Sequence, residues 1–291
     1  MSKYAYYPGC SLHATAKEYD LSTRKVSQAL GIELVEIDDW NCCGATPAHS
    51  SSHLLSLALP ARNLARAERS GFEVLVSPCA ACSSRHKFVN KEINEDQELK
   101  AKVNEVLPYP YNGGVEVKNF LDMISEIVCG DNGFDKVKKP LKGLKAVCYY
   151  GCLLTRPVEV TEFDNPDNPT SMDKILEVLG AEVLPWFPKT KCCGGSFALG
   201  KVELVVERVG QLLKEAKEIG AECIVVACPM CQANLDMRQG EVKRKFKTSY
   251  KMPIPYFTEL LGVALSLDQN ELGLDKHMTD LRPLLRSKNL I

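Results

Sequence analysis

The sequence predicts an α/β protein made of two similar units, each with its own parallel β-sheet. Short apolar runs alternate with helical stretches, which is typical of parallel strands joined by crossover helices. The same pattern occurs twice along the 291 residues. Because each half repeats the order of the other, we expect a pseudo-twofold axis between the units, with functional loops at the C-terminal ends of the strands.

Matching segments in the two halves define this repeat. The matched segments are Tyr6–Cys10 with Tyr149–Cys152, Ala29–Leu34 with Val178–Val183, Asn41–Gly44 with Lys191–Gly194, Ser70–Cys82 with Ile219–Cys231, and Pro108–Tyr111 with Pro253–Tyr256. The spacing is shared as well, since 35 residues separate Cys43 from Cys79 and 34 separate Cys193 from Cys228. One polar insertion, at 164–169, reads as a surface loop of the second half.

Each half follows the order strand, helix, strand, helix, strand, helix. Strands are expected at 3–8, 33–38 and 72–77 in the first half and at 145–150, 182–187 and 222–227 in the second. Helices near 52–70 and 199–219 should end at Gly71 and Gly220, because glycine commonly closes a helix. Turn residues and charges at 131–143 predict a boundary there, which gives a first unit at 1–140 and a second at 141–291.

The composition excludes some classes of function. The 36 Lys and Arg balance 37 Asp and Glu, and this argues against a nucleic-acid binder, which needs an excess of basic charge. The N-terminal residues contain no long apolar segment, and no apolar run approaches the length of a membrane span. We therefore expect a soluble, cytoplasmic protein with no membrane segment of its own. Its 13 cysteines then indicate metal or redox chemistry rather than disulfides.

Most of the cysteines form two copies of one pattern: a single cysteine, then Cys-Cys-Gly, then Cys-x-x-Cys. The motif cysteines are Cys10, Cys42, Cys43, Cys79 and Cys82 in the first half and Cys152, Cys192, Cys193, Cys228 and Cys231 in the second. All of them follow predicted strands, so the thiols of one unit should converge at the carboxyl edge of its sheet. The Cys-x-x-Cys pairs also open helices, whose N-termini favour the thiolate form that binds metal.

The adjacent cysteines indicate the kind of metal group. Two neighbouring thiols are poorly placed to hold one small tetrahedral ion, but they can hold different atoms of a larger cluster. Glycine at Gly44, Gly194 and Gly195 lets the backbone pass close to such a group. Five thiolates per unit also exceed the four that a zinc ion or a cubane cluster needs. An unusual iron-sulfur cluster fits best, and a structural zinc module and a thioredoxin-like dithiol remain as alternatives.

This pattern resembles the cysteine-rich CCG domain of the B subunit of heterodisulfide reductase from methanogenic archaea, and the resemblance covers essentially the whole chain. It implies two noncubane 4Fe-4S clusters as cofactors. The implied ligands are Cys10, Cys42, Cys43, Cys79 and Cys82 for one cluster and Cys152, Cys192, Cys193, Cys228 and Cys231 for the other.

The resemblance also implies an enzyme, the catalytic subunit of a CoB-CoM heterodisulfide reductase. The reaction would be two-electron reduction of the mixed disulfide to the coenzyme M and coenzyme B thiols, with the disulfide between the clusters. Electrons would come from a ferredoxin-like iron-sulfur subunit (HdrC type) linked to a flavin-containing subunit (HdrA type). The alternative is a CCG-type electron-transfer subunit of another dehydrogenase or quinone-linked complex, with no disulfide cleavage.

Other residues carry weaker signals. The basic residues considered for the anionic groups of such a substrate are Arg85, His86, Lys87, Arg156, Lys189 and Lys191, each of which also reads as a solvated surface charge. The histidines considered as proton donors to a product thiol are His13, His49 and His53, which also read as packed or solvated residues. The cysteines without a counterpart, expected to be packing residues, are Cys129, Cys148 and Cys223.

Overall fold

The computed structural model describes residues 2–45, 48–130 and 134–291. It confirms the predicted fold class, because two α/β units with parallel sheets follow one another along the chain. The strands are β1 (Ser2–Tyr6), β2 (Ile32–Glu36), β3 (Val74–Ser77) and β4 (Glu116–Asn119) in the first unit, and β5 (Lys145–Tyr149), β6 (Glu182–Val183) and β7 (Cys223–Val226) in the second.

Helices connect these strands in both units. The first unit contains α1 (Gly9–His13), α2 (Lys17–Leu30), α3 (Ala48–Ser51), α4 (His53–Arg69), α5 (Ala80–Glu95), α6 (Gln97–Asn104) and α7 (Phe120–Val128). The second contains α8 (Val158–Thr161), α9 (Ser171–Val178), α10 (Val202–Glu218), α11 (Pro229–Met237), α12 (Gln239–Phe246), α13 (Phe257–Ala264) and α14 (Arg282–Ser287). Short 3-10 helices occupy Phe187–Thr190 and Gly195–Phe197.

The strand order is β2-β1-β3-β4 in the first sheet and β6-β5-β7 in the second, and every pair is parallel. Strands β3, β5 and β7 are mostly buried, as expected of parallel strands with helices on both faces of the sheet. In β7, for example, all four residues are buried. The carboxyl ends of the strands therefore meet at one edge of each sheet.

The second sheet also has a fourth position, although no full strand forms there. The carbonyls of Pro253 and Pro255 accept hydrogen bonds from the backbone N–H groups of Ile224 and Val226, at 3.1 and 3.0 Å. Proline has no N–H to donate, so it is tolerated at the edge of a sheet and not within it. The two sheets thus share one topology, and the fourth position of the second is reduced to an edge.

This topology corrects one of the matched segments. The counterpart of the segment Pro253–Tyr256 is β4 and not Pro108–Tyr111, so that predicted match is wrong. Asn119 and Tyr256 each occupy the N-cap of the following helix. Tyr111 lies instead in a loop, where its backbone N–H donates to the Asn104 side chain at 2.9 Å. The two proline-containing segments are similar in sequence but occupy different positions in their units.

Two predicted helices are confirmed, and one predicted strand is shorter than expected. The predicted helices at 52–70 and 199–219 correspond to α4 and α10, and Gly71 and Gly220 follow them with φ of +78° and +84°. The predicted strand at 182–187 is much shorter, because its hydrogen bonds to β5 end at Leu184 and the next residue, Pro185, has no N–H.

Equivalent helices join the two units. Helix α2 of the first unit packs on α13 of the second, and α7 of the first packs on α9 of the second. Helices α2 and α9 follow the first strands of their units, whereas α7 and α13 follow the fourth positions. In both contacts, a helix that follows a first strand packs on a helix that follows a fourth position of the other unit. A twofold relation between the units requires this exchange. The packing agrees with the predicted pseudo-twofold axis.

Tyr19 lies at the centre of this interface. Its hydroxyl is 3.2 Å from the carbonyl of Pro78 and 3.2 Å from that of Ala227, the residues that precede the two Cys-x-x-Cys pairs. Its ring stacks on Tyr256 of the second unit, with centroids 4.0 Å apart. One buried side chain of the first unit therefore contacts the ends of both β3 and β7.

The boundary between the units was expected within 131–143, and residues 131–133 of that range lie outside the described residues. Beyond them, the N–H groups of Lys138 and Lys139 donate to the Ala264 carbonyl of the second unit, at 2.9 and 3.0 Å. The chain has therefore reached the second unit by Lys138, close to the division into 1–140 and 141–291 that we propose.

A buried ionic group holds the C-terminal segment to the second unit. The His277 Nε2 lies 2.7 Å from a carboxylate oxygen of Glu259, and its Nδ1 lies 3.9 Å from one of Asp236. Burial alone would lower the pKa of His277, but the Glu259 and Asp236 carboxylates raise it to about 9. The imidazole is therefore charged in the folded protein at neutral pH.

The interface predicts a stability effect at Ser22, whose hydroxyl forms a buried 2.7 Å hydrogen bond with Thr258 of the second unit. Replacing Ser22→Ala leaves the Thr258 hydroxyl without this partner, which should lower the free energy of unfolding by about 1–3 kcal/mol. Urea unfolding measures the change. The exposed Ser70 supplies the control, and Ser70→Ala should change the free energy by less than about 0.5 kcal/mol.

The His277 ion pair predicts a dependence of stability on pH. The pKa is about 9 in the folded protein and about 6.5 in the unfolded chain, so the stabilisation is complete below about pH 6.5. It should then be lost as the pH rises through about 9. Urea unfolding from pH 6 to 10 should show this loss for the natural chain and a flatter profile for His277→Gln. Identical profiles for the two proteins would contradict the assignment.

Candidate metal centres

The structure places all the motif cysteines at the carboxyl edges of the two sheets. In the first unit, Cys10 lies in α1 directly after β1, and Cys42 and Cys43 lie in the loop after β2. Cys79 is the N-cap of α5, and Cys82 lies in the first turn of that helix. The second unit repeats this arrangement, with Cys228 at the N-cap of α11.

The thiols of the first unit form a continuous group. The Cys10 and Cys42 Sγ atoms are 3.9 Å apart, and those of Cys43 and Cys82 are 3.3 Å apart. Cys42 is also within hydrogen-bonding reach of Cys43, and Cys82 of Cys79. None of these residues is in a disulfide. All five thiols can therefore contact one bound group.

The second unit has the same group of thiols with small differences. The Cys193 and Cys231 Sγ atoms are 3.8 Å apart, and Cys152 is within hydrogen-bonding reach of Cys192. The Gly194 N–H donates to the Cys192 sulfur at 3.3 Å. Cys192 is exposed and Cys152 is half-buried, so this group is open on one side.

The two groups of thiols meet at the pseudo-twofold axis. Cys79 of the first unit and Cys228 of the second are within hydrogen-bonding reach of each other. Both are buried, and each follows one of the carbonyls that Tyr19 contacts. The two candidate centres are therefore direct neighbours.

Hydrogen bonding among the thiols lowers the pKa of some cysteines and raises the pKa of others. Hydrogen bonding with Cys42 and then with Cys82 lowers the pKa of Cys43 to about 3. Donation from Cys152 lowers the pKa of Cys192 to about 5 despite its partial burial. The same contacts raise the pKa of the donors, Cys42 and Cys152, well above their usual value. Each unit thus holds at least one thiolate, the form that ligates metal.

The donor set fits an iron-sulfur cluster. Sulfur ligands from thiolate groups are those that such clusters use. In addition, the Nε–H of Arg85 is buried without a hydrogen-bond partner, and its guanidinium is close enough to Cys43 for the two charges to interact. A sulfide of a bound cluster would be a suitable hydrogen-bond acceptor for this N–H group. Within the part of the chain that the structure describes, no three Cys, His, Asp or Glu side chains converge around a single ion.

Two glycines allow the sulfurs of the Cys-x-x-Cys pairs to approach the backbone. Gly9 and Gly151 precede the first cysteine of each motif and have φ of +74° and +71°. A Cβ atom at Gly9 would lie 3.0 Å from the Cys82 sulfur, and one at Gly151 would lie 2.9 Å from the Cys231 sulfur. Both the conformation and the contact exclude a side chain at these positions.

A buried tyrosine supports each group of thiols, and neither tyrosine was predicted from the sequence. The Tyr7 hydroxyl donates to the Asn41 carbonyl at 2.8 Å, and the Tyr149 hydroxyl donates to the Lys191 carbonyl at 2.5 Å. These carbonyls directly precede the adjacent cysteines. Each tyrosine therefore anchors a Cys-Cys loop. The sequence alone could have indicated these tyrosines, because Tyr7 and Tyr149 each stand two residues before the glycine of their motif, Gly9 or Gly151.

The surroundings of the two groups are not identical. His86 lies under the first group, with Nδ1 2.8 Å from the Cys82 carbonyl and Nε2 3.3 Å from Asn63. Burial lowers the pKa of His86, so it is neutral at pH 7. Leu235 occupies the corresponding position of the second unit, four residues after its last cysteine. The first group thus has a more polar lining.

The other basic residues considered from the sequence are engaged in protein contacts. Lys189 is buried and forms a 2.8 Å ion pair with Asp173, so its reading as a solvated surface charge is wrong. Arg156 pairs with Asp167 at 3.5 Å. The further pairings are Lys191 with Glu215 at 3.3 Å and Lys87 with the Thr161 carbonyl at 2.6 Å.

The histidines and the unmatched cysteines lie in ordinary surroundings. His13 is 3.1 Å from Glu36, and His53 is exposed at the start of α4. The side chain of His49 lies outside the described residues. Cys148 and Cys223 are buried in β5 and β7, and burial raises the pKa of both, whereas Cys129 is the C-cap of α7. These positions match those of packing residues.

The fold and the site define a class of protein: a duplicated α/β protein with two neighbouring groups of five thiols at the carboxyl edges of its sheets. The family model described as "CCG: Cysteine-rich domain" matches residues 4–85 and 146–236, one match in each unit. The chain belongs to this cysteine-rich domain family.

Two curated relatives match almost the whole chain. The 8-methylmenaquinol:fumarate reductase membrane anchor subunit of Wolinella succinogenes is 33% identical over 97% of this chain and 99% of its own length. The B subunit of the ferredoxin/F(420)H(2)-dependent CoB-CoM heterodisulfide reductase of Methanosarcina acetivorans is 29% identical, over 95% of this chain and 94% of its own. Both relatives are named as subunits of multisubunit reductases. The resemblance to the B subunit of heterodisulfide reductase is thus confirmed.

A solved structure shares the fold. The crystal structure of a hypothetical protein from Helicobacter pylori superposes with a TM-score of 0.79 at 12% identity, covering 96% of this chain and 52% of that one. The chain thus spans about half of that protein, and the likeness concerns the fold alone. Among the described residues, no helix is both long enough and apolar enough to cross a bilayer.

The glycine contacts predict an effect on metal binding. In Gly151→Ala, the new Cβ would lie 2.9 Å from the Cys231 sulfur, so this variant should bind less iron per chain after anaerobic reconstitution. Gly220→Ala is the matched control, because Gly220 has a similar φ of +84° but no atom within 4 Å of the new Cβ. The backbone strain, about 1–2 kcal/mol, is then common to both variants. Equal iron content in the two variants would contradict the proposed contact.

Proposed function

We propose that the chain is the iron-sulfur subunit of an oxidoreductase complex and holds two noncubane 4Fe-4S clusters, one in each unit. The proposed ligands are Cys10, Cys42, Cys43, Cys79 and Cys82 for the first cluster and Cys152, Cys192, Cys193, Cys228 and Cys231 for the second. The contact between Cys79 and Cys228 carries the proposal, because it makes the two sets of ligands neighbours.

Each bound cluster would supply a one-electron redox centre. The residues of the chain position the two centres and control access to them. Tyr7 and Tyr149 anchor the Cys-Cys loops, while Tyr19 contacts the ends of both strands that lead to the Cys-x-x-Cys pairs. Cys42 and Cys192 are exposed, so both sets of ligands are open to a substrate or partner.

Disulfide reduction is the first specific function that this arrangement supports. Cleaving a disulfide to two thiols consumes two electrons and two protons, and two adjacent one-electron centres match that requirement. The relation to the B subunit of a CoB-CoM heterodisulfide reductase supports the same reaction. In this function the chain would be the catalytic subunit, and the substrate would be the mixed disulfide of coenzyme M and coenzyme B.

Electron transfer within a quinone-linked complex is the second candidate. It is favoured by the 33% identity to a subunit of 8-methylmenaquinol:fumarate reductase. It is also favoured by the buried ion pair of Lys189, because this charge is already neutralised by Asp173 and is not free to bind the anionic groups of a coenzyme disulfide. In this function the chain would pass electrons without cleaving a disulfide.

Either function needs partner subunits that exchange electrons with this chain. For disulfide reduction we propose a ferredoxin-like iron-sulfur subunit (HdrC type) and a flavin-containing subunit (HdrA type). The relatives support a multisubunit assembly, because they are themselves named as subunits.

Metal and sulfide analysis of the anaerobically purified chain tests the proposal. Two 4Fe-4S clusters require about eight irons and about eight acid-labile sulfides per chain. A structural zinc module would instead give about one or two zinc ions and no sulfide. Cys223→Ala is the control, since this buried cysteine lies in β7 and is not a proposed ligand, and it should keep the full iron content. Zinc without sulfide would reject the proposal.

Turnover separates the two specific functions. The cluster-loaded chain is mixed with a reduced viologen dye and the coenzyme M–coenzyme B disulfide, and free thiols are measured. Disulfide reduction predicts thiol release that falls to background in Cys43→Ala and persists in Cys223→Ala. If no thiol appears but a menaquinone analogue reoxidises the reduced chain, the electron-transfer function is supported.

A further inference from the structure

The two proposed cluster sites differ in one half-buried charge, that of Arg85. Arg85 follows Cys82 by three residues on α5, and its guanidinium is held by a 2.9 Å hydrogen bond to the Ser56 carbonyl. The Phe88 ring packs against it, with the Cζ atom 5.0 Å from the ring centroid. Its Nε–H is buried and has no partner in the protein. This cation is therefore fixed in place beside the first group of thiols.

Arg85 acts electrostatically on the ligand group. Burial lowers the pKa of Arg85, and the Cys43 thiolate opposes that shift, so the two groups interact through a partly desolvated region. A charge in such a region is screened less by solvent than an exposed one. A positive charge at this place favours the reduced, more negative form of any cluster that Cys43 ligates.

The second unit has no such cation at the equivalent place. Asn234 follows Cys231 by the same three residues, and its neutral amide lies 3.5 Å from the Cys193 sulfur. The nearest counterpart in charge is Arg208, which acts on Cys192 but is exposed to solvent. Because solvent and salt screen exposed charges, Arg208 should act on its site more weakly than Arg85 acts on the first.

We infer that the positive charge of Arg85 gives the first unit's cluster a higher reduction potential than the second unit's. An electron would therefore move from the second unit to the first. This inference rests on the proposed function, in which both units hold a cluster. The step is a single electron transfer: the second unit's cluster is oxidised by one electron and the first unit's is reduced by one. The contact of Cys79 with Cys228 keeps that path short.

A redox titration of the cluster-loaded full chain tests the inference. Electron paramagnetic resonance and absorbance, recorded against potential, should resolve two reduction steps. In Arg85→Gln the step at the higher potential should move to a lower potential, while the other step stays nearly fixed. The expected change is about tenfold in the equilibrium constant for the electron between the two clusters, which is 59 mV for a one-electron couple.

Two further variants keep the test decisive. Arg85→Lys retains the charge without the Nε–H, so it should keep most of the natural difference between the two steps. Arg208→Gln is the matched control, since it removes an exposed charge near Cys192, and it should shift either step less than Arg85→Gln does. Iron and sulfide content, measured for each variant, shows that the clusters are intact.

The outcomes separate the inference from the proposed function. A chain that binds no iron and sulfide rejects the proposed function, and the inference falls with it. If the clusters are present but Arg85→Gln moves the lower step, moves neither step, or matches Arg208→Gln, the inference alone is overturned. An Arg85→Lys variant that behaves like Arg85→Gln would also overturn it, because the charge would then have no effect.

Discussion

The meeting of Cys79 and Cys228 at the pseudo-twofold axis is the contact on which the rest of the architecture depends. It requires the ends of β3 and β7 to lie side by side, and Tyr19 contacts the last carbonyl before each cysteine. The packing of α2 on α13 and of α7 on α9 helps to hold the two units in that position. The interface between the units and the approach of the two thiol groups are thus one structural feature.

Duplication has preserved the features that shape the backbone and changed those that set the charge. Both units keep a glycine with positive φ under a Cys-x-x-Cys sulfur and a buried tyrosine that anchors the Cys-Cys loop. By contrast, Arg85 is replaced by Asn234, and His86 is replaced by Leu235. Two sites of the same shape can therefore differ in electrostatic environment, which is a way for one fold to hold two centres of unequal potential.

The sequence predicted the features that depend on spacing along the chain and missed those that depend on contacts across it. The motif cysteines and the α/β class followed from repeated spacings, because strand ends fix where such loops emerge. The sequence alignment matched Tyr6 with Tyr149. In the structure, the equivalent of Tyr149 is Tyr7, because both hydroxyls donate to the carbonyl that precedes a Cys-Cys pair. The buried ion pair of Lys189 was also missed, since nothing local in the sequence indicates its partner Asp173.

The acidities of the thiols explain why each group needs a cationic partner. Where one thiol becomes a thiolate, its neighbours are driven to stay protonated: hydrogen bonding with Cys43 and Cys79 raises the pKa of Cys82, and contact with Cys193 and Cys228 raises that of Cys231. Five thiolates in contact would repel one another strongly. Iron would offset that repulsion, so binding of the proposed cluster would release protons and stabilise the loops that carry the ligands. In such a cysteine arrangement, metal binding and folding of the site would be coupled.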